Sequence, residues 1–175
     1  MNKIELVILD IDGVMTDGTK IYGIDGLPFA KRYCDKDFTA IKRLKGSGIN
    51  VCFLSGDENV NKAMAINRNI DFYSARGLDK ADFVSKFEEI YNTTQDKMLY
   101  VGDDLFDLSI MKKVGFSFCP KDSTKKVRDF CYPNIIDRNG GENVVSEMVD
   151  FLIENKFVSE CEFEEIEKLD KKEIF

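Results

Sequence analysis

Two aspartates directly follow a short apolar run near the start of the chain. The run Leu6–Leu9 leads into Asp10 and Asp12, and Gly13 comes next. A carboxylate joined to a buried segment raises the free energy of the fold unless a positive charge shares its site. If the run is a strand, its period-two alternation places both acids on one side, at its carboxyl end. The pair therefore either ends the run as solvated turn residues or faces a cation.

The same arrangement recurs at a later apolar run. Met98–Val101 is followed by Gly102, Asp103 and Asp104, and Asp107 lies one helical turn further on. The chain contains no histidine, which removes Ser-His-Asp, Cys-His and histidine–metal chemistry. A metal would have to be held through oxygen, and clustered carboxylates suit Mg²⁺. The two acid pairs therefore predict a Mg²⁺ site.

Two smaller signals stand between these acid pairs. The apolar run Val51–Leu54 ends in Ser55 and Gly56, and Lys80 begins a helical pattern. Taken alone, a lysine is usually solvated and a serine often caps a helix. Taken in order, the strand ends carry paired acids, a small hydroxyl beside glycine, and paired acids again. An acidic chain with such a set can bind a small phosphorylated substrate, provided that a metal and a lysine gather at the same place.

The elements that must position these residues alternate along the chain. The predicted strands are Leu6–Leu9, Val51–Leu54, Phe72–Ser74, Met98–Val101, Phe116–Cys119 and, more weakly, Asn134–Ile136. The segments with helix-compatible spacing are Ala40–Lys45, Val60–Asn69, Lys80–Tyr91, Leu105–Lys113 and Ser123–Phe130. Continuous apolar strands that alternate with helices predict an α/β fold, a doubly wound, Rossmann-like parallel sheet covered on both faces. In this fold the site lies beyond the carboxyl ends of the strands, where the acids are.

Two segments depart from this alternation. Thr19–Tyr33 has two strand-like arms around the turn-forming pair Asp25-Gly26, which predicts a protruding β-hairpin after the first strand. The acidic segment 156–175 mixes Glu and Lys with spaced apolar residues, and it is either an amphipathic helix or a frayed tail. We expect residues 1–155 to form one domain.

Length, charge and hydropathy exclude several classes of protein. The 175 residues fit one domain, and the net charge of −7 argues against a nucleic-acid partner. No apolar run approaches the length of a membrane span, and Glu5 and Asp10 interrupt any signal-like stretch. We therefore expect a cytoplasmic protein with no membrane partner. The five cysteines are scattered without C-x-x-C spacing and are expected to be reduced thiols, with Cys52 and Cys119 in the core.

The ordered motifs resemble those of a known superfamily. D-x-D-G-V-x-T-D-G from Asp10, S-G at Ser55, the lysine Lys80 and G-D-D-x-x-D from Gly102 are similar, in that order, to the motifs of the haloacid dehalogenase superfamily of phosphotransferases. The resemblance spans about residues 5–150. A lone D-x-D would be weak evidence, but four ordered motifs at predicted strand ends and helix starts are specific. The resemblance implies a Mg²⁺-dependent phosphatase that acts through an aspartyl-phosphate.

The resemblance also implies a role for each matching residue. Asp10 matches the nucleophile, and Asp12 matches the general acid/base. Ser55 matches the hydroxyl that holds a phosphoryl oxygen, and Lys80 matches the ammonium that offsets charge on the nucleophile and the phosphoryl group. The implied substrate contacts are Gly56, Lys80 and Asp37. The implied metal ligands are Asp10, the backbone carbonyl of Asp12, and Asp103, with Asp104 and Asp107 as further or more distant anchors.

The spacing of the motifs leaves no room for a separate cap domain. Capped members insert a cap after the first motif or between the second and third, but the segments from Asp12 to Ser55 and from Ser55 to Lys80 are too short. The hairpin and a late Gly140-Gly141 resemble the 3-deoxy-manno-octulosonate 8-phosphate phosphatase family, which includes phosphatases for nine-carbon sialic-type sugar acids. This resemblance implies a homo-tetramer whose hairpins meet at the centre and whose subunits complete one another's sites.

Two segments differ from the pattern of that family. Its members carry Arg-Asp-Gly after the hairpin, where this chain has Lys36-Asp37-Phe38, and a late arginine where this chain has Ser146. The catalytic set is complete, whereas the residues that read the substrate have changed. We expect a phosphatase for a sugar acid, with a phosphatase for another sugar phosphate or a nucleotide as the alternative. A non-catalytic binding member of the fold is a further alternative, against which the intact catalytic set weighs.

Overall fold

A six-stranded parallel sheet lies at the centre of the computed structural model, which describes residues 3–174. The strands are β1 (Leu6–Leu9), β2 (Ile21–Tyr22), β3 (Pro28–Ala30), β4 (Asn50–Ser55), β5 (Asp71–Ser74), β6 (Met98–Val101), β7 (Phe116–Pro120) and β8 (Ile135–Ile136). The helices are α1 (Asp35–Gly46), α2 (Asn59–Asn67), α3 (Phe83–Tyr91), α4 (Leu108–Met111), α5 (Lys125–Cys131), α6 (Val144–Glu154) and α7 (Phe163–Asp170). The central sheet has the order β5-β4-β1-β6-β7-β8, and β2 pairs with β3 in a separate antiparallel hairpin. The predicted doubly wound α/β fold is confirmed.

Strand β1 is buried on both faces, which explains why the run before Asp10 contains no polar residue. Val7 and Leu9 belong to the apolar cluster that α1 and α6 complete on one face of the sheet. Leu6 and Ile8 belong to the cluster that α3, α4 and α5 complete on the other face. All four side chains are fully buried. The strand therefore fixes the position of the acidic loop that follows it.

The helices differ from the predicted ones chiefly at their ends, and one observed helix is missing from the prediction. Helix α1 begins at Asp35 rather than at Ala40, and it carries acids in its first turn, where the helix dipole favours them. The predicted helix Lys80–Tyr91 begins as a 3₁₀ turn over Lys80–Asp82. Helix α6 was absent from the predicted elements, although its buried residues have helical spacing. Those residues are Val144, Val145, Met148, Val149 and Leu152.

The C-terminal segment forms a helix that packs against the domain. Of the two alternatives for this segment, the helix is correct over Phe163–Asp170. The ammonium of Lys42 on α1 contacts Asp170 and lies 3.1 Å from a carboxylate oxygen of Glu173. The same glutamate accepts a 2.9 Å hydrogen bond from Arg68. These ion pairs join α7 and the residues after it to α1 and α2.

The hairpin is the only addition to the sheet before α1 within the described residues, and no cap domain is evident there. Its two strands lie outside the central sheet. The side chains of Ile21, Tyr22 and Phe29 are each more than half exposed. The hairpin therefore presents an apolar surface to its surroundings.

Two further observations concern membrane segments and thiols. No helix in the range 3–174 is long and apolar enough to cross a membrane. The five cysteines are free thiols, as predicted. Cys52 and Cys119 are fully buried in the core, as predicted from the apolar runs that contain them.

Candidate active site

Asp10 lies at the carboxyl end of β1, on the floor of an open cavity. Its backbone N–H donates to the carbonyl of Val101 on β6 at 2.9 Å, so the strand pairing extends as far as this residue. Its Oδ1 accepts a 2.7 Å hydrogen bond from the backbone N–H of Ile11. Gly13 has a φ of +84°, and a Cβ there would lie 2.1 Å from Asp103 Oδ2. Only glycine therefore allows the acidic loop after β1 to pass this close to Asp103.

Lys80 joins the two acidic loops through a group that we call the Lys80 cluster, consisting of Lys80, Asp10, Asp107 and Tyr100. The Lys80 ammonium lies 2.8 Å from Asp10 Oδ2, 2.7 Å from Asp107 Oδ1 and 2.9 Å from the Tyr100 hydroxyl. The hydroxyl in turn donates to Asp107 Oδ1 at 2.6 Å. Tyr100 was not among the predicted site residues, although a hydroxyl inside the buried run Met98–Val101 requires a polar partner.

Asp107 anchors the loop that carries the second acid pair. Its Oδ2 accepts the backbone N–H groups of Asp103 and Asp104 at 2.9 and 3.0 Å. Both of its oxygens are therefore already bound, one by this loop and one by Lys80 and Tyr100. A Cβ on Gly102 would lie 2.5 Å from atoms of the Asp107 carboxyl group, so the glycine leaves the space that this anchor needs.

The protein environment shifts the pKa values of the acids in this part of the site upward. Burial, and then the charge of Asp107, raise the pKa of Asp10 to about 7 against the opposing effect of Lys80. Burial and the charges of Asp10 and Asp107 raise the pKa of Asp103 to about 8. Burial lowers the pKa of Lys80, but the two aspartates outweigh it and the net shift is upward. If all three acids were ionised, they would carry more negative charge than one ammonium neutralises, and this repulsion contributes to the raised pKa values.

These acids fit a divalent cation. Oxygen atoms of Asp10, Asp103 and Asp107 lie within 4.8 Å of one another. Because both oxygens of Asp107 already accept hydrogen bonds, Asp10 and Asp103 are the better direct ligands. Asp104 is turned to its own loop, where its carboxylate accepts the N–H of Leu105 at 2.7 Å. The carboxylates repel one another unless a cation binds between them. Mg²⁺, the predicted cofactor, prefers such oxygen ligands.

Asp12 belongs to a second group, the Lys31 cluster, consisting of Lys31, Asp12, Asp57 and Asn61. The Lys31 side chain is fully buried, and its ammonium lies 2.7 and 3.0 Å from the two oxygens of Asp12. The same nitrogen donates to Asp57 Oδ2 at 2.8 Å and to Asn61 Oδ1 at 2.9 Å. Lys31, Asp57 and Asn61 were not predicted as site residues. Lys31 lies on the hairpin arm, and nothing in its local sequence indicates that it points inward.

The Lys31 cluster extends to Ser55 and to a second lysine. Asn61 donates to Ser55 Oγ at 3.0 Å and to Asp12 Oδ2 at 3.2 Å. The Lys20 ammonium lies 3.0 Å from Asp57 and 3.7 Å from Asp12. Burial raises the pKa of Asp57, but hydrogen bonds from both lysines outweigh it and the net shift is downward. Ser55, the predicted phosphoryl contact, is therefore connected to the predicted acid/base through one amide.

The two clusters meet at a cavity of about 880 Å³. Its rim includes apolar side chains, among them Leu78 and Phe106, and the cation Arg76. Among the predicted site residues, the ones that line it are Asp10, Asp12, Ser55, Gly56, Lys80, Asp103, Asp104 and Asp107. The structure thus brings together residues that are far apart in the sequence, at the edge of the sheet where the parallel strands end.

The structure does not bring Asp37, a predicted substrate contact, to this cavity. Its side chain is fully buried, and Oδ1 accepts the backbone N–H of Ser146 in the first turn of α6 at 2.9 Å. Its Oδ2 is buried without a hydrogen-bond partner among residues 3–174. Burial raises the pKa of Asp37 to about 6. Its geometry is that of a side chain that binds the start of a helix.

The fold and the acid-lined cavity are those of a haloacid dehalogenase-like hydrolase. The model of that family matches residues 58–148, more than half of the chain. The chain belongs to this family. The predicted enzyme class, a phosphoric monoester hydrolase, is confirmed by the relatives described next.

Curated and solved relatives are similar over most of the chain. A 3-deoxy-D-manno-octulosonate 8-phosphate phosphatase from Haemophilus influenzae is 28% identical over 155 residues, which cover 88% of this chain and 85% of that protein. The cobalt-bound structure of the Haemophilus influenzae enzyme has a TM-score of 0.82 at 27% identity, covering 89% of this chain and 87% of that one. A subfamily III A hydrolase from Legionella pneumophila also has a TM-score of 0.82, at 25% identity, with 98% and 92% covered.

Proposed function

We propose that this protein is a Mg²⁺-dependent phosphatase that hydrolyses a phosphomonoester of a sugar acid through an aspartyl-phosphate on Asp10. The observation that carries the proposal is the position of the Asp10 carboxylate, 2.8 Å from the Lys80 ammonium and beside Asp103 on the cavity floor. A buried carboxylate between a lysine and a metal-binding acid can approach a phosphate dianion only when cations offset the repulsion. Lys80 supplies one such cation, and Asp10 and Asp103 would bind a divalent one.

In the first step of this mechanism, an Asp10 oxygen attacks phosphorus and the bond from phosphorus to the ester oxygen breaks. Asp12 donates its proton to the departing oxygen, so the products are an alcohol and the aspartyl-phosphate. In the second step Asp12 takes a proton from water, whose oxygen attacks phosphorus and releases inorganic phosphate and the Asp10 carboxylate. Lys80 offsets the charge of the phosphoryl oxygens throughout. A bound Mg²⁺, held by Asp10, Asp103 and the Asp12 carbonyl, would supply further charge neutralisation and alignment.

The substrate class rests on the relatives and on the cavity. The Haemophilus influenzae relative acts, by its name, on 3-deoxy-D-manno-octulosonate 8-phosphate. The cavity of about 880 Å³ is larger than a phosphoryl group needs, and Lys20 and Arg76 line it. These cations favour a sugar that carries a carboxylate, either that eight-carbon acid or a nine-carbon sialic-type acid. Lys36 and Ser146 stand where members of the octulosonate phosphatase family carry arginines. We therefore propose sugar acids as the substrate class and not one particular sugar.

A phosphate-release assay over a panel of esters tests this function. The panel contains 3-deoxy-manno-octulosonate 8-phosphate, a sialic-type 9-phosphate, neutral sugar phosphates and nucleoside monophosphates, each with Mg²⁺ and with excess chelator. We expect the two sugar-acid esters to be hydrolysed fastest and every activity to disappear with chelator. Faster hydrolysis of neutral sugars or nucleotides would favour the alternative substrates. Full activity in chelator would contradict the mechanism.

We further propose that the protein assembles as a homo-tetramer through its hairpins, with each site bordered by a neighbour. Tyr22 and Phe29 on the two arms are 59% and 65% exposed, which leaves an apolar ribbon that one domain does not cover. A lone two-stranded hairpin is marginal in water, and self-association would bury this ribbon. It would also border the open cavity, which has no cap.

Light scattering on two matched variants tests the assembly. Phe29→Asp places a charge on the hairpin, and Phe163→Asp places one at a similarly exposed position, 67%, on α7. We expect the wild type and Phe163→Asp to be tetrameric and Phe29→Asp to dissociate and lose activity on the sugar-acid ester. A wild type that is monomeric and fully active would rule out the shared site.

A further inference from the structure

Lys31 is a buried cation delivered to the site from outside the sheet. It follows β3 on the arm of the hairpin, yet its side chain is fully buried and its ammonium contacts four oxygen atoms at 2.7 to 3.0 Å. A lysine is almost never buried to this degree unless it is paired. Two of those oxygens belong to Asp12, and one each to Asp57 and Asn61. The next residue, Arg32, has an 82% exposed side chain that pairs with Asp17.

The contacts of Asp12 differ from those of Asp10. The Asp10 carboxylate accepts a backbone N–H of its own loop and the Lys80 ammonium. The Asp12 carboxylate is held by side chains alone among the hydrogen bonds found in residues 3–174: both oxygens accept from Lys31, and Oδ2 also accepts from Asn61. A carboxylate held in this way keeps its orientation only while those side chains remain in place.

We propose that Lys31 is a positioning residue for proton transfer: it holds the Asp12 carboxyl group where that group can serve the leaving oxygen. This inference rests on the proposed phosphatase function. Asp57 supports Lys31 from the other side, and Asn61 aligns the same carboxyl group with Ser55. The hairpin thus contributes to catalysis from within its own subunit, apart from any role in assembly.

The consequence is specific to one part of the reaction. When the bond from phosphorus to the ester oxygen breaks, an alkoxide must take the proton of Asp12, whereas a weakly basic phenolate leaves without it. Misplacing Asp12 therefore slows the cleavage of alkyl esters more than that of p-nitrophenyl phosphate. A loss of general folding or of charge neutralisation would slow both esters alike. The ratio of the two losses in kcat/KM separates positioning from a structural role.

The experiment compares Lys31→Met, Lys31→Arg and Arg32→Met on p-nitrophenyl phosphate and on the fastest alkyl ester of the panel. For Lys31→Met we expect kcat/KM to fall about 100-fold for the alkyl ester and less than about 10-fold for the aryl ester. Lys31→Arg keeps the charge and should recover part of the alkyl activity. Arg32→Met, at the neighbouring exposed position, should change neither ester more than about 2-fold.

A second variant covers the case in which Lys31→Met does not fold. Asp57→Asn leaves Lys31 in place but removes one of its two carboxylate partners, so the same preference should appear with a smaller loss, about 5- to 10-fold for the alkyl ester. Equal losses for both esters, or no loss, would overturn the role of Lys31 and leave the phosphatase function standing. A wild type that cleaves no phosphomonoester would instead refute the proposed function and, with it, this role.

Discussion

The Lys80 cluster and the Lys31 cluster have the same composition at their centres but different origins. Each places one buried lysine between two aspartates at distances below 3 Å. Among the partners of Lys80, Asp10 directly follows β1 and bonds to β6 through its backbone, Tyr100 lies on β6, and Asp107 lies in the turn after β6. The sheet therefore fixes them. Lys31 comes from the hairpin; its partners Asp12 and Asp57 follow β1 and β4, and Asn61 lies on α2. The first cluster is built into the sheet, whereas the second depends on how the hairpin packs against α2.

The difference suggests different tasks for two chemically similar groups. Asp10 is fixed by strand pairing, and burial, followed by the charge of Asp107, raises its pKa. Lys80 there offsets charge that would otherwise accumulate. Asp12 lies among lysines and an amide, where the carboxyl group is oriented rather than merely neutralised. A cation in the first cluster should therefore affect every substrate, and a cation in the second should affect substrates according to their leaving groups.

The largest expected effect tests the sheet-built cluster. Asp10→Asn removes the proposed nucleophile while keeping nearly the same shape, so turnover should fall on the order of 10⁴-fold or more for alkyl and aryl esters alike. Phosphate release measures the loss, and thermal unfolding checks that the variant folds. Near-normal turnover by Asp10→Asn would show that the nucleophile has been assigned to the wrong residue.

A smaller effect compares the two lysines directly. Lys80→Met leaves Asp10 and Asp107 without their shared cation, and kcat/KM should fall about 10²- to 10³-fold. The loss should be equal for p-nitrophenyl phosphate and for the alkyl ester, because Lys80 acts on the phosphoryl charge. Lys126→Met, at an exposed position on α5, serves as the control. A loss confined to the alkyl ester would mean that Lys80, like Lys31, acts on the leaving group and that the two clusters do not have separate tasks.

The smallest expected effect concerns Asp37, an acid outside both clusters. Because burial raises its folded-state pKa to about 6, the folded protein binds its proton more tightly than the unfolded chain does. The stability that this proton contributes is fully present below about pH 4 and is lost as the pH rises through 6. Asparagine does not titrate, so Asp37→Asn does not lose stability in this way. Its free energy of unfolding relative to wild type should therefore rise by about 2 kcal/mol between pH 4 and pH 7.

Urea unfolding of wild type and Asp37→Asn at the two pH values measures this difference. A constant difference across the range would contradict the raised pKa. A changed KM for the sugar-acid ester, with no change in stability, would instead restore the predicted substrate contact at Asp37.

Much of the fold and the sheet-built half of the site could be predicted from the sequence. The uninterrupted apolar run of β1 favours a strand buried on both faces, and the acids after β1 and β6 then lie at one edge, because parallel strands end on the same side. The buried residues of helix α6 also have regular helical spacing, so a helix there is consistent with the sequence alone. Asp37 could not be placed because its partner, the start of α6, is more than a hundred residues away.

The sequence by itself determined which acids and which hydroxyl stand at the strand ends and which lysine stands at a helix start, because local periodicity indicates where a strand ends and where a helix begins. Only the tertiary structure decided which side chains complete the site. The Tyr100 hydroxyl bonds to Asp107 because the turn after β6 brings that carboxylate back to the strand, and Lys31 reaches Asp12 from a hairpin whose second arm packs against α2. The direction in which a hairpin folds depends on contacts between distant segments, and no local pattern in the chain encodes it.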